Sequence, residues 1–400
     1  MGKKKFPLEQ YSFLPIDKVL FGINSVDVLP DEMKRLKLKK PLIITGTTLS
    51  TQTNIVNNII KLLPNQNYQV FDAISERAPL EGVLKATKIC IEMQADCIIG
   101  VGGSTISDAG RVITVLTTYH IDQITKFRNW FQERMPLDLL DSIKKPLLKQ
   151  IVIPTTLSAG ELNFGSGTFD PSHKKKLRFS HPKLAPSLIF YDASLTSDTP
   201  SWLWLSTGIK ALDHAIERLY SPDCHPITEI ACIKSIELLT EFLPKTADRL
   251  QSLEDRSHCL MGAWLSMSGF PNGGLGLSHA IGHVLGVKHW IPHGYTSCIT
   301  QPAVMEFNLP YSLPQQMLFA LATGIKKGSK SNEALVREGH SFLRNFIRQL
   351  NLPQSLQKLG INLNDLKSIA HSTLEDPGAQ NNIYPITNYR QVIKVLNTIF

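Results

Sequence analysis

Four hundred residues, 42% of them hydrophobic and 19% charged, describe a folded chain with enough apolar matter for about two domains. The formal charge of +8 is a modest excess at this length, with only short basic runs at 3–5, 34–40 and 174–176. Without a basic stripe interleaved with aromatics, a nucleic-acid module is excluded, and the excess fits an anionic substrate or cofactor, or simply a solvated face. Six scattered cysteines (Cys90, Cys97, Cys224, Cys232, Cys259, Cys298) with no C-x-x-C pair read as reduced thiols of a cytoplasmic protein. The start MGKKKFPLEQ lacks the apolar stretch of a secretion signal. No apolar run approaches the roughly 20 residues of a membrane helix.

Taken in chain order, residues 11–22 predict short strands with a turn at 15–17, and residues 26–36 a helix. PLIIT, closed by Gly46, reads as a buried strand, followed by a polar helix over 50–63. A strand over 68–74, a helix over 80–94 and the strand CIIGVGG come next. Strand and helix alternate, which predicts a parallel sheet with right-handed crossovers.

The turn GVGGSTISD is the first stretch with chemical content. Gly102 and Gly103 lie between a strand end and a helix start, with Ser104 expected at the N-cap. Glycine there lets backbone N–H groups approach a phosphate, although glycine is common in such turns for shape alone. The pattern is not G-x-G-x-x-G. Further on, KQIVIP leads into the loop carrying Thr155, Thr156 and Ser158, whose hydroxyls can bind a ligand. Residues 174–196 read as a hairpin or strand pair returning to the sheet and ending at Asp192.

From Pro200 helical periodicity takes over, broken by Pro222, Pro226, Pro244, Pro292, Pro310 and Pro353. This predicts an α/β domain over 1–198 and an all-helical domain over 199–400. In the first helix of the second half, Ile209, Leu212, Ile216 and Leu219 form an apolar stripe. Lys210, Asp213, His214 and Glu217 share an adjoining face, which is either a site or a solvated face laced by i,i+3 and i,i+4 pairs. Residues 273–294 then carry four of the twelve histidines. His279 and His283 are four apart and share a helix face, and His293 follows a bulky loop. One helix face and one loop tip can so converge on a metal, an anion or a proton transfer, the alternative being one core imidazole and several surface ones.

GGSTISD, PTTLSAGE, TGIKALDHAIE and GLSHAIGHVLG…IPHG, in this order and spacing, resemble the iron-containing alcohol dehydrogenase family, most closely its maleylacetate reductase-like branch, over about residues 15–380. The resemblance implies a Rossmann-like N-terminal dinucleotide-binding domain and a C-terminal helical domain, a dehydroquinate synthase-like architecture, with the active site between them. It implies hydride transfer with NADH or NADPH on a small-molecule carbonyl or oxo-acid, and a homodimer. Position by position, it assigns the cofactor pyrophosphate to Gly102, Gly103 and Ser104, with Asp108 following. Thr155, Thr156, Ser158, Lys176 and Leu195 match further cofactor contacts. His214, His279 and His293 match three ligands of a divalent metal, iron or zinc, and His283 an extra active-site histidine.

Three departures matter. Lys210 stands where the family's ligand aspartate belongs, and an ammonium repels the ion that a carboxylate would hold. Asp213 is adjacent, but its direction on the helix differs from that of His214 by about 100°. Val101 replaces the first glycine of the usual triplet, and Gly46 replaces an aspartate near the adenosine ribose, which permits NADPH beside NADH. The expectation is a reductase in which Lys210 with His214, His279 and His293 stabilises a developing oxygen charge and His283 is the general acid. Competing readings are a metal-dependent alcohol dehydrogenase, a cyclising lyase resembling 3-dehydroquinate synthase, and a silent cofactor-binding homologue.

Overall fold

The computed structural model describes residues 10–64, 67–133, 147–170, 172, 175–247, 252–270 and 272–400, the side chains of 131–133, 175–176 and 178–179 excepted. Six strands form one parallel sheet: β1 (Lys18–Gly22), β2 (Pro41–Ile44), β3 (Gln69–Phe71), β4 (Cys97–Gly102), β5 (Lys149–Pro154) and β8 (Leu188–Asp192), in the order β1-β8-β5-β4-β2-β3. The hydrophobic runs at 41–44 and 97–102 are buried along their whole length, as strands covered on both faces must be. Alternate side chains divide between two cores. Leu42, Ile44 and Ile98 face α4 (Leu80–Glu92) and α5 (Ser104–Thr118), whereas Ile43, Ile99, Val101, Ile151 and Ile153 face α1 (Leu29–Arg35) and α3 (Ile55–Leu62).

From β2 the chain first moves outward to β3, then returns to the other side of β2 with β4 and continues to β5. The order reverses between β2 and β4, and the carboxyl ends of strands at such a reversal are where open α/β sheets bind ligands. Gly102 and Gly103 occupy that end of β4.

After Ser201 the described elements are all helical: α7 (Ser201–Leu219), α8 (Pro226–Phe242), α9 (Leu253–Met267), α10 (Leu277–His289), α11 (His293–Ala322), α12 (Asn332–Gln349), α13 (Asp365–Thr373), α14 (Pro377–Asn381) and α15 (Tyr389–Thr398), with short 3-10 turns between them. Leu157, Ile189 and Tyr191 from the sheet side share a core with Trp204, Ile209 and Leu212 of α7, so an apolar layer fuses the two halves. No helix among the described residues is long and apolar enough to cross a membrane.

Several sequence expectations change. The single helix over 50–63 is two, α2 (Thr47–Gln52) and α3, interrupted at Thr53 and Asn54. Only Lys18–Gly22 of residues 11–22 is strand. The segment 174–196 splits: β7 (Lys175–Ser180) pairs antiparallel with β6 (Gly165–Asp170), and β8 joins the main sheet between β1 and β5. Gly165–Asp170 is a strand that the sequence does not announce, its glycines and small polar residues having little strand propensity, and pairing with β7 supplies what that lacks. Pro310 does mark a break: helical φ/ψ is lost two residues on at Ser312 (φ −136, ψ 22), so α11 is two helical stretches meeting at a kink, while Pro302 lies inside the first of them. His293 is the first residue of α11 rather than a loop tip.

Candidate active site

The glycine turn is made of backbone. Gly102 has φ +146, a conformation L side chains rarely adopt, and a Cβ on it would come 2.7 Å from Ile106. A Cβ on Gly103 would meet Thr156 Oγ1 at 3.3 Å, so the space above the turn exists because both residues are glycine. Ser104 is not the N-cap: Gly103 holds that place in extended conformation, and no side chain caps the helix. The leading N–H groups of the 15-residue α5 thus lack a side-chain acceptor, the arrangement a pyrophosphate needs. This cradle fits the dinucleotide that the sequence implies. Asp108 is one turn further, its carboxylate 3.4 Å from the Arg111 guanidinium.

The second loop ties this turn to the helical half. Thr155 N–H donates to Gly102 O at 3.1 Å, and Thr156 Oγ1 donates to Ser158 Oγ at 3.0 Å. Ser158 O accepts from Lys210 Nζ at 3.3 Å. Through three residues the loop therefore joins the glycine turn to α7. Leu195 is buried in the core beside Ile153 and Phe190. Lys176 lies on β7 opposite Phe169, and its side chain is outside the described residues. At Gly46, Ser50 Oγ donates to Asp72 Oδ2 at 2.7 Å, which puts a carboxylate on the same turn from the neighbouring strand.

The polar face of α7 is buried rather than solvated: Lys210 is 8% exposed, and Asp213, His214 and Glu217 less. Glu217 accepts N–H bonds from Gly276 at 2.9 Å and Ser278 at 2.7 Å, capping α10 from a different helix. Its Oε2 also lies 2.8 Å from His279 Nδ1, which therefore carries the proton and leaves Nε2 as an acceptor. That Nε2 is buried without a hydrogen-bond partner, as is Nδ1 of His214. The His214 and His279 rings stack at 4.7 Å. His293 stands 5.4 Å from His279 and 5.3 Å from His283, with Nδ1 3.1 Å from Thr296 Oγ1. The close approach needs Gly282, whose Cβ would fall 2.8 Å from Thr296 Oγ1 and 3.1 Å from the His293 ring. His283 Nδ1 is 2.9 Å from Asp376 Oδ2.

The structure thus brings His214, His279, His283 and His293 into one cluster. Burial holds the pKa values of His214 and His293 well below the ordinary histidine range, and the Lys210 charge pushes the same way. His279 is lowered by burial against the opposing pull of Glu217. These three imidazoles are neutral at neutral pH, so among them and Lys210 the positive charge is that of the Lys210 ammonium.

Taken singly, His279 has the form of a metal ligand, a neutral imidazole oriented by a carboxylate. The carboxylates of the set are ill placed for a divalent ion held at the His279 Nε2. The carboxylates closest to it, Asp213 and Glu217, meet the Nδ1 side of His279, at 3.4 and 2.8 Å. Although Asp213, Glu217 and His279 each offer an atom within 4.8 Å of the others, Glu217 is engaged in capping α10. Burial, then the charge of Glu217, pushes the Asp213 carboxyl well up, and its Oδ1 is buried without a hydrogen-bond partner.

Two groups escape the sequence reading. Asp376 sits in a D-P-G turn, which signals only a helix start. Glu161 is buried beside the 155–160 loop, where Tyr191 donates to it, and burial raises its pKa against the charges of Arg111 and Lys210. A lone glutamate in a loop gives no hint of that environment.

Known proteins share both the fold and this order of motifs. The model for iron-containing alcohol dehydrogenase matches residues 16–193, and that for the C-terminal part of the Fe-containing alcohol dehydrogenase family matches residues 204–400. The chain belongs to the iron-containing alcohol dehydrogenase family, is maleylacetate reductase-like within it, and is an oxidoreductase. It is 26% identical over 373 residues to maleylacetate reductase 1 of Cupriavidus pinatubonensis, covering 93% of this chain and 92% of that protein. It is also 26% identical over 360 residues to lactaldehyde reductase of Escherichia coli, covering 89% and 91%. The solved structure of an alcohol dehydrogenase from Oenococcus oeni superposes with a TM-score of 0.90 at 24% identity, covering 98% of this chain and 100% of that one.

Proposed function

We propose that this protein is an NAD(P)H-dependent reductase of a small carbonyl or oxo-acid substrate, built from an α/β half and a helical half divided near Asp198, and working without a catalytic metal. The observation that carries the reading is the buried Lys210 ammonium, anchored on Ser158 O beside the imidazole cluster. It stands where the sequence resemblance places a metal-binding aspartate.

The nicotinamide nucleotide, when bound, supplies the hydride. Gly102, Gly103 and Ser104 hold its pyrophosphate at the start of α5, and Thr155, Thr156 and Ser158 flank it. Lys210 faces the substrate oxygen and stabilises the alkoxide or enolate charge as it develops. A preorganised group of this kind is worth about 3–4 kcal/mol in the transition state. His279, protonated at Nδ1, presents an acceptor at Nε2 that suits orienting the ammonium or a substrate hydroxyl, not the developing charge itself. His283 gives its Nε2 proton to the substrate oxygen. With a side chain 35% exposed, it recovers that proton from solvent. A fixed cation beside the neutral His214, His279 and His293 also favours a carboxylate-bearing substrate, in keeping with the maleylacetate in the name of one relative.

The test has two arms. Purified protein should contain well below one divalent metal per chain and keep its activity in chelator, while oxidising NADH or NADPH with maleylacetate or lactaldehyde. Stoichiometric iron or zinc, lost with activity on chelation, would replace this with a second reading. That alternative, a metal-dependent dehydrogenase, draws on the partnerless His279 Nε2 and His214 Nδ1.

A further inference from the structure

His283, its side chain 35% exposed, is the member of the cluster whose Nδ1 faces a carboxylate from the far end of the chain, Asp376, 93 residues later. Several contacts pin that carboxylate in place. Asp376 Oδ1 accepts the Gly378 N–H at 3.0 Å and caps α14. A Cβ on Gly378 would come 2.6 Å from Gly276 O and 3.3 Å from Ala280, so this turn lies directly against the first turn of the helix that bears His283. Asn381 Nδ2 donates to Leu275 O at 3.1 Å, and Asn382 exchanges amide bonds with Asn308 of α11 at 2.8 and 2.9 Å. The Asp376 turn is thus fastened to α10 and α11, which carry His279, His283 and His293.

We propose that Asp376 is a positioning residue for the proton-transfer step, an inference that rests on the reading of His283 as proton donor. By accepting Nδ1–H, the carboxylate fixes the tautomer and ring orientation of His283 and turns Nε2 toward the reacting oxygen. In the step itself the Nε2–H bond breaks and an O–H bond forms on the substrate, while the substrate carbon gains the hydride and the nicotinamide is oxidised. Asp376 neither gives nor takes a proton. It holds Nδ1–H in place, so that Nε2 is the ring nitrogen that exchanges its proton with substrate and solvent.

The experiment is a double-mutant cycle of Asp376→Asn and His283→Gln, read by NADH and NADPH oxidation with maleylacetate and, in parallel, lactaldehyde. Asparagine retains the size and the cap to Gly378 but removes the charge. Asp376→Asn should lower kcat by about 10–100-fold, the usual loss for a partner that orients a functional histidine, with KM and nucleotide affinity changed little. In the His283→Gln background the same substitution should have no further effect, and Asp376→Glu should recover part of the rate. Nitrogen-labelled imidazole spectra should show His283 leaving the Nδ1–H tautomer in Asp376→Asn, which a purely structural role would not produce. A wild-type kcat in Asp376→Asn, or an equal loss with His283 already replaced, overturns the role of Asp376 alone. An unchanged kcat in His283→Gln overturns the proton-donor reading and the role of Asp376 with it.

Discussion

On the proposed reading the turn at Gly102–Gly103 and the histidine cluster serve one reaction, but they are built in opposite ways. The turn uses backbone N–H groups and open space, and everything it needs lies within a few consecutive residues. The cluster uses side chains from α7, α10 and α11, and its imidazoles lean on other groups: Glu217 for His279, Asp376 for His283, Thr296 for His293. A backbone site is sensitive to shape, while a side-chain site in a buried setting is sensitive to charge and protonation. Substitutions in the two places should therefore fail in different ways.

The largest effect should follow loss of the central charge. Lys210→Ala should lower kcat by about 10²–10³-fold while nucleotide affinity, measured by fluorescence titration, stays near that of the wild type. An unchanged kcat would remove Lys210 from the chemistry, and a loss confined to nucleotide affinity would move it to the other region.

Next in size is an acid dependence peculiar to the cluster. His214 has a folded pKa far below its unfolded value near 6.5, so above pH 6.5 neither state takes a proton there and stability is level. As the pH falls below 6.5 the unfolded chain binds a proton that the native state refuses. Stability then drops by about 1.4 kcal/mol per pH unit for each such group, until the folded pKa is reached. Urea unfolding between about pH 7 and pH 5.5 should show the decline, and His214→Phe should flatten it by one group. Gly103→Val should keep the wild-type slope. Equal slopes in wild type and His214→Phe would mean that His214 is not held neutral.

Gly103→Val itself sharpens the contrast from the other side. Its Cβ would press on Thr156 Oγ1 and close the space over α5. Affinity for the nucleotide should weaken about tenfold, equivalent to about 1.4 kcal/mol, with kcat at saturation largely retained.

The same contrast governs what could be read from the chain alone. The glycine turn is legible because strand, glycine pair and helix are contiguous, and the sheet because β2 and β4 are unbroken apolar runs. His279 and His283 announce themselves by their spacing of four. Their partners do not: the link from Asp376 to His283 crosses 93 residues, and a D-P-G turn is ordinary punctuation. The face of α7 resembled a solvated one because Lys, Asp, His and Glu at i,i+3 and i,i+4 suit water equally well. The apposition of the Ser158 loop, the start of α10 and the first turns of α11 makes it interior. Ser104 missed the cap for a related reason, since extended Gly103 takes that place and no side-chain hydroxyl is needed there.

The smallest effect should come where the two regions touch. Arg77, with φ 66, reaches from the sheet half to the far end of α10, donating to the carbonyls of Gly286 and Val287, its guanidinium 3.5 Å above the Trp290 ring. A cation there complements the negative end of the helix, as the Glu217 carboxylate complements the positive end. The two ends differ in depth. Glu217 is buried and holds a histidine of the cluster, whereas Trp290 is 61% exposed and water screens the charge beside it. Arg77→Ala should then cost about 1 kcal/mol or less in urea unfolding and leave kcat close to wild type. A large fall in kcat with stability intact would show that Arg77 sets how α10 faces the glycine turn. Register between the two regions would then depend on a surface cation, and not on the buried link through Thr155, Ser158 and Lys210.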